Sequence, residues 1–598
     1  MENYQSRKDV PEKYKWDLTE YFKDDKDFNN TYNESTKMVK ELSSFKGKLK
    51  DPKVLKEFIT KHINTFVNIE DLYIYSYLIN DQELGVSSSS ERLNKVLLLS
   101  NEFDQNTAFF VPEILSFSSD EYNKLFENND LNEYKTYLDL IFRDKDHVLN
   151  ESESKIVSEL LNSMNKYEEI ASTLTNLEHN YGTINIDGKK EVIAVNNYRK
   201  LTKNKDEKIR KTVYKKFNSK LDEYGKVSAS LLNAYVKMEL SLAGIHKFKS
   251  SWESHLFNYN IANEVFESLR TTTENNVSSF QKYLELKKEV LKLDTLHPYD
   301  LNLDMGSDNT KYSIEEAQDL ILKSLEPLGS DYLNHFKRIF NEHYIDYCQY
   351  KGKVSGAYSC APMNHTSRIM MSYNEDLDSV STIAHEGGHN VHHQYVSEHN
   401  PIQYRDVTTL VAEVASLTNE CLLSHYISQN AKTKSEKLHG LENILRVFTS
   451  NLFGAVREAK MEQDMYNYVS KGGVLTQEYM DKLSTKSLKK YYGKEVKLDK
   501  YSKNSWITRS HYYMNYYLYN YAICISVASN VASKIIDGDK VMLNNYIKFL
   551  STGSDTWPYD AFKILGIDVK EKEVYENAIK YFDSLVQEYD KIYKSKEV

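Results

Sequence analysis

Proline and glycine are scarce in this chain of 598 residues, which has eight of the first and twenty of the second. No proline occurs between Pro112 and Pro298, so the strongest helix breaker is missing there, and apolar spacing of helical period runs from Ser152 to Leu177 and from Asp206 to Leu242. Low-complexity stretches are equally rare, Ser87 to Ser90 being one short serine run, and no repeat of fixed period occurs. Cysteine is scarcer still. Cys348, Cys360, Cys421 and Cys524 include no closely spaced metal-binding pair, and each has the apolar or aromatic neighbours of a buried thiol. No long basic cluster exists and the formal net charge is −10, which argues against a nucleic-acid partner. No run approaches the roughly 20 apolar residues that span a bilayer. The opening Met1-Glu-Asn-Tyr-Gln-Ser-Arg-Lys-Asp lacks the apolar core of a secretion signal. A cytoplasmic protein without a membrane partner is expected.

What remains is a chain long enough for a large core and several structural units, with helical patterning over most of its length. A mainly α fold is expected. An exception is Tyr181 to Val195, where two alternating segments flank Asp187-Gly188, the dipeptide of a tight hairpin. This places a boundary between an N-terminal helical domain over 1–195 and a larger domain over 196–598, which carries the residues taken up next.

The chemistry concentrates at His385-Glu386-Gly387-Gly388-His389. Two imidazoles four residues apart on a helix stand about 40° apart around its axis and can grip one metal ion. Leu377, Val380, Ile383 and Ala384 precede them at helical spacing, with Asp378 as an N-terminal cap or first-turn carboxylate. Glu386 would stand beside the open position of such a metal, where it can take a proton from a water and hand it to a leaving amine. Two histidines leave a metal under-ligated. The metzincin pattern fails, because it needs Gly at His392 and His at Tyr395. In the apolar helical segment from Leu410, Glu413 interrupts packing where an ionised carboxylate is costly unless paired or metal-bound, so it is the best third ligand, ahead of Glu420 and Glu398.

These residues resemble the oligoendopeptidase F branch of the thimet-oligopeptidase-like zinc metallopeptidases. The likeness extends to Tyr14-Lys-Trp-Asp-Leu-Thr-Glu-Tyr-Phe22, to Lys353-Val-Ser-Gly-Ala-Tyr-Ser359 and to the run from Trp506 to Ser526, and so covers nearly the whole chain. The sequence departs from the family at Gly387, where a bulkier residue is usual, and at Ser510, where proline is common. The Gly-Gly pair costs up to about 2 kcal/mol of helix propensity, which tertiary packing must offset. The resemblance implies a zincin-like helical metallopeptidase with a small β-sheet beside the metal helix and a deep channel between helical domains that admits short oligopeptides. It implies one zinc ion per chain on His385, His389 and Glu413, although such a donor set also accepts cobalt or manganese.

Further roles follow from the same resemblance. In the aromatic run His511, Tyr513 and Tyr516 would stabilise the oxyanion or hold substrate, Tyr513 and Tyr516 sharing a helical face, with Tyr517 and Tyr521 as the runner-up pair. Gly356, Ala357 and Tyr358 would offer a strand edge to an extended peptide. Asp378 could orient a ligand histidine through its second N–H. His365, His392 and His393 carry no spacing argument and read as surface or supporting residues. The expected activity is hydrolysis of internal peptide bonds. A carboxypeptidase or dipeptidyl carboxypeptidase would need a cation for the substrate terminus, from Arg509 or Arg368. A catalytically silent peptide-binding scaffold would have no use for Glu386.

Overall fold

The computed structural model describes residues 4–595 apart from 128, 151–152, 155, 158–159, 162–165, 178–180, 307–309 and 361. The described residues are mainly helical, with five short strands among them: β1 (Thr183–Ile186), β2 (Lys189–Val192), β3 (Ile345–Asp346), β4 (Tyr358–Cys360) and β5 (Arg368–Met370). The helical pattern expected from Ser152 falls partly outside the described residues; within it Tyr167–Ser172 is α-helical. Among the described residues no helix is long and apolar enough to cross a membrane.

By packing, the chain forms two compact units, each built from three stretches: 1–151, 310–423 and 534–566 in the first, and 152–309, 424–533 and 567–598 in the second. The boundary expected near residue 195 divides the chain sequentially, whereas each of these units combines three separate stretches; a division at 195 stands as a proposal.

In the first unit Trp16, Leu18, Tyr21 and Phe22 are buried in a core shared with the helices Asp25–Leu42, Pro52–Gln82 and Ser87–Thr107. Local chemistry starts two of these helices. The Asp24 carboxylate accepts the Asp27 N–H, and Asp51 accepts from Lys53 and Val54 with Pro52 in the first turn. A cap contributes about 1 kcal/mol, whereas each buried large side chain contributes about 1.5–3 kcal/mol. Packing therefore decides where the helices lie. The three-stranded sheet has the order β3-β5-β4, with β3 parallel and β4 antiparallel to β5 and Ser359 opposite Ile369. Met370 of β5 enters the same core and Tyr358 and Cys360 pack against it, which fixes the sheet to the N-terminal helices. The connection from β3 to β4 is held by Lys353, whose buried ammonium donates to the Asp346 carboxylate and to the carbonyls of Cys348 and Met371.

After the sheet comes the helix Leu377–His399, capped by Asp376, whose carboxylate accepts the Ser379 N–H at 2.9 Å. Asp378 is the first-turn acid, not the cap. The next helix is Thr409–Asn430. A Cβ on Gly388 would lie 2.7 Å from Ser416 Cα, and one on Gly387 would lie 2.2 Å from the Phe336 ring. The glycine pair thus lets two backbones approach closely, which supplies the packing that offsets its poor helix propensity.

The second unit is built on the 39-residue helix Glu207–Ile245 and the later helices Lys434–Phe448, Ala455–Ser470 and Lys572–Lys594. Its hairpin β1–β2 has the expected tight turn, with Asp187 and Gly188 both at positive φ, 51° and 81°. The aromatic run differs from expectation. Ser510–Tyr513 is a short 3₁₀ turn, Asn515 and Tyr516 are left-handed at φ 39° and 61°, and the α-helix starts only at Tyr519. Tyr513 and Tyr516 therefore do not share a helical face. The cause is long-range: the Tyr516 N–H donates to Glu462 at 2.7 Å and the Asn515 side chain to Glu239 at 2.7 Å.

Candidate active site

The helix Leu377–His399 turns His385 and His389 to one side, and the close approach at Gly388 brings Glu413 against them from the next helix. The Nε2 atoms of His385 and His389 stand 3.4 and 3.6 Å from Glu413 Oε2, and one ligand atom from each of the three residues lies within 4.8 Å of the other two. Two donors each ~2.1 Å from one tetrahedral ion would stand ~3.4 Å apart, so the spacing fits a zinc-sized metal with an open fourth position.

The other ring nitrogen of His385 is also engaged. His385 Nδ1 is 2.7 Å from Glu420 Oε1, and Ser381 donates to the second oxygen of Glu420 at 3.2 Å. The Ala412 backbone lies beside the His389 ring. With Nδ1 so held, Nε2 of His385 is the nitrogen that faces the cluster. Glu420, ranked as a reserve ligand, is thus the carboxylate that orients His385, the part expected of Asp378. The signal was available: Glu420 lies seven residues, two helical turns, after Glu413 on the same helix face. Glu398 lies apart, with His335 at 3.0 Å and Arg338 at 3.4 Å.

Glu386 is 9 % exposed, with the Ser359 backbone of β4 close to its carboxylate. Burial raises its pKa to about 6. Burial also pushes the Glu413 carboxyl up, but the hydrogen bond from His385 and the charges of both histidines outweigh it and leave the pKa at about 2. For His385 burial pulls down while Glu413 and Glu420 pull up and win, so its pKa lies well above the ordinary value; for His389 burial prevails and the pKa falls to about 4.

The proposed peptide edge lies nearby in the same unit. Gly356 has φ 101°, a conformation that L side chains resist. Ala357 leads into β4, and the Tyr358 hydroxyl donates to Asp81 at 2.9 Å, so that side chain is committed to the core. His392 and His393 are buried rather than at the surface, at 2 % and 5 % exposure, and His392 stacks on Phe549. His365 lies between Glu20 and Asp71.

The aromatic candidates belong to the second unit. His511 packs with Tyr517 and Tyr521, ring centroids 6.2 and 5.9 Å away, and Tyr513 lies on Tyr235 at 5.3 Å. Tyr516 is 4 % exposed, and its hydroxyl is 3.1 Å from Ser251 Oγ. Both cations named for terminal-carboxylate binding are committed elsewhere: Arg368 is 2 % exposed and paired with Glu20, and Arg509 is paired with Glu458.

Residues 200–581 match Peptidase family M3, and residues 113–179 match Oligopeptidase F. The chain is 30% identical over 590 residues to oligopeptidase PepF of Bacillus subtilis, covering 98% of this chain and 88% of that protein. Among solved structures, a chain from Chlamydophila abortus superposes with a TM-score of 0.88 at 26% identity, covering 98% of this chain and all of that one. Oligoendopeptidase-F from Enterococcus faecium has the same fold, with a TM-score of 0.73 at 24% identity over 95% and 99% of the two chains.

Proposed function

The chain belongs to peptidase family M3, in its oligoendopeptidase F branch, and on that premise we propose that it is a zinc-dependent endopeptidase that cuts internal bonds of short peptides in the cytoplasm. The observation that carries this reading is the meeting of His385, His389 and Glu413 at ligand spacing with Glu386 beside them. His385, His389 and Glu413 would hold the zinc ion, which when bound would supply Lewis acidity.

The chain's own residues do the rest. Glu386 is the general base: its carboxylate takes a proton from the attacking water and passes it to the departing amine. The Ser359 backbone of β4, close to that carboxylate, favours its ionised form. Glu420 holds the His385 ring through Nδ1. The peptide lies along Gly356, Ala357 and Tyr358, where backbone hydrogen bonds tolerate many side chains. His511 positions substrate and Tyr513 donates to the oxyanion, with Tyr517 and Tyr521 beside His511. Tyr516 takes part only when its hydroxyl leaves Ser251.

The test is cleavage of a quenched short peptide by wild type and Glu386→Gln, with metal content measured on both and the cut located by mass spectrometry. An internal cut by wild type, and loss of turnover in a variant that still holds metal, are expected. Absence of cleavage by metal-loaded wild type across a varied peptide set would overturn the reading.

A further inference from the structure

Beside the ligand His389 the first unit contains a cavity of about 410 Å³ with walls from Phe66, Met363, Val407 and Ala412. Its polar lining includes Arg405. This arginine is half-buried on the connection between the two ligand helices. Its Nε donates to the Asn400 carbonyl at 2.9 Å, and a terminal nitrogen reaches the Met363 carbonyl at 3.5 Å. Among the described residues no carboxylate oxygen lies within the 4.0 Å of an ion pair with it. Other arginines of the same unit contrast with this: Arg7, Arg92, Arg338 and Arg368 are paired with Asp346, Asp25, Glu342 and Glu20.

A guanidinium partly withdrawn from water without a counter-ion is an expensive arrangement. Its planar fork of N–H donors matches a carboxylate better than any other common anion in a peptide. The connection that carries it is held in place. The Tyr404 hydroxyl accepts the Tyr137 N–H at 2.9 Å, and the Tyr404 carbonyl accepts the Ser554 N–H at 2.9 Å. Two acids also line the cavity, Glu70 and Asp406, and burial raises the pKa of both, Glu70 to about 7. Their opposition to an incoming carboxylate is weakened accordingly. His393, on the same wall, is kept uncharged mainly by burial.

We infer that Arg405 is a specificity-determining residue that binds a carboxylate of the peptide substrate in this cavity, supplied by an acidic side chain near the scissile bond or by the peptide's own C-terminus. The inference rests on the peptidase reading above, because only then does a cavity beside His389 receive part of a substrate.

The experiment uses the purified, metal-loaded chain and peptides in which each position flanking the scissile bond carries Glu, Gln or Lys in turn, every peptide made with a free and an amidated C-terminus. The readout is the ratio of kcat/KM between Glu and Gln peptides, and between free and amidated ones. Wild type is expected to favour the carboxylate at one position on the order of ten- to a hundredfold, the worth of a charged hydrogen-bonded pair, and this preference shrinks as salt is raised. Arg405→Gln is expected to bring the ratio near one, Arg405→Lys to keep part of it, and Arg405→Glu to turn preference toward Lys. A ratio that follows the free C-terminus assigns the terminal carboxylate; one that follows Glu assigns the side chain. Wild type that cleaves peptides with no carboxylate preference anywhere overturns this inference alone. So does an unchanged ratio in Arg405→Gln with normal metal content. Absence of all cleavage overturns it together with the peptidase reading.

Discussion

His385 meets a carboxylate at each of its ring nitrogens, and the two have different work. Glu413 faces Nε2 of both histidines and so completes the proposed donor set, whereas Glu420 touches only Nδ1 of His385. Partners of that second kind are worth about 10–100-fold in metal affinity. Glu420→Ala is therefore expected to weaken zinc binding by that factor in competition with a chromophoric chelator, with Glu420→Gln weakening it less and Asp378→Asn staying close to wild type. Equal damage from Asp378→Asn would return the orienting role to that residue. At this scale the donors within one helix were legible, because the spacing of His385 and His389 is local geometry. An acid among apolar neighbours also exposed Glu413. Which of Glu413 and Glu420 faces the metal depends on how one helix is rotated against another, and no local pattern encodes that rotation. Arg405 was illegible for a related reason: its lack of a counter-ion is a property of its surroundings at Met363 and Asn400, not of its own stretch of chain.

Elements meet here through missing side chains. At Gly388 an added Cβ would collide with backbone atoms of Ala415 and Ser416, the nearest being Ser416 Cα at 2.7 Å, while at Gly387 the collision is with the Phe336 ring, a side chain that can turn. Ala415 and Ser416 belong to the helix that carries Glu413. Gly388→Ala must therefore push the two ligand helices apart, and we expect a loss of about 1–3 kcal/mol in urea unfolding together with a clear fall in bound metal. Gly387→Ala is expected to cost less and to leave metal content near wild type, since only a ring has to move. Equal metal loss in both variants would contradict this account. The same contrast between local and distant causes explains which elements could be read in advance. The hairpin β1–β2 was legible because Asp187-Gly188 dictates its own turn. The aromatic run was not, because its helical pattern is overridden by carboxylates placed far away in sequence, Glu462 on the Tyr516 N–H and Glu239 on the Asn515 side chain. Side chains that capture backbone N–H groups compete directly with helix formation.

The whole molecule buries several ionisable groups in ways that oppose one another across the pH scale. Burial raises Glu70 and Glu239 to about 7 and Glu462 to about 8, against about 4.3 in an unfolded chain. Between those values the folded state keeps a proton that the unfolded state has lost, so each group makes stability fall as pH rises, by up to about 1.4 kcal/mol per pH unit. His62 and His255 act in the other direction: burial lowers them to about 4 and about 3, so their contribution grows as pH rises toward about 6.5, the unfolded value. His365 is pulled down by burial, but Asp71 and Glu20 outweigh this and raise it to about 9. Its contribution is complete below about 6.5 and is lost as pH climbs through 9. His392 and His393, lowered by burial to about 3 and about 4, act with His62 and His255, so below about pH 6 these histidines outnumber the three carboxyls and stability rises with pH; from about 6.5 to about 8 losses prevail, and above that Lys287, lowered by burial to about 8, counters them. Thermal midpoints are therefore expected to rise gently up to about pH 6 and to decline between about pH 6.5 and pH 8. Glu462→Gln isolates one contributor, because the amide oxygen can still accept the Tyr516 N–H while the side chain no longer ionises. Its midpoint should match wild type near pH 4 and exceed it increasingly toward pH 8, where the buried carboxyl of the wild type is forced to ionise. A wild-type midpoint that rises between pH 6.5 and 8, or a variant less stable than wild type at pH 8, would show that these carboxyls are not held in their protonated form by the fold.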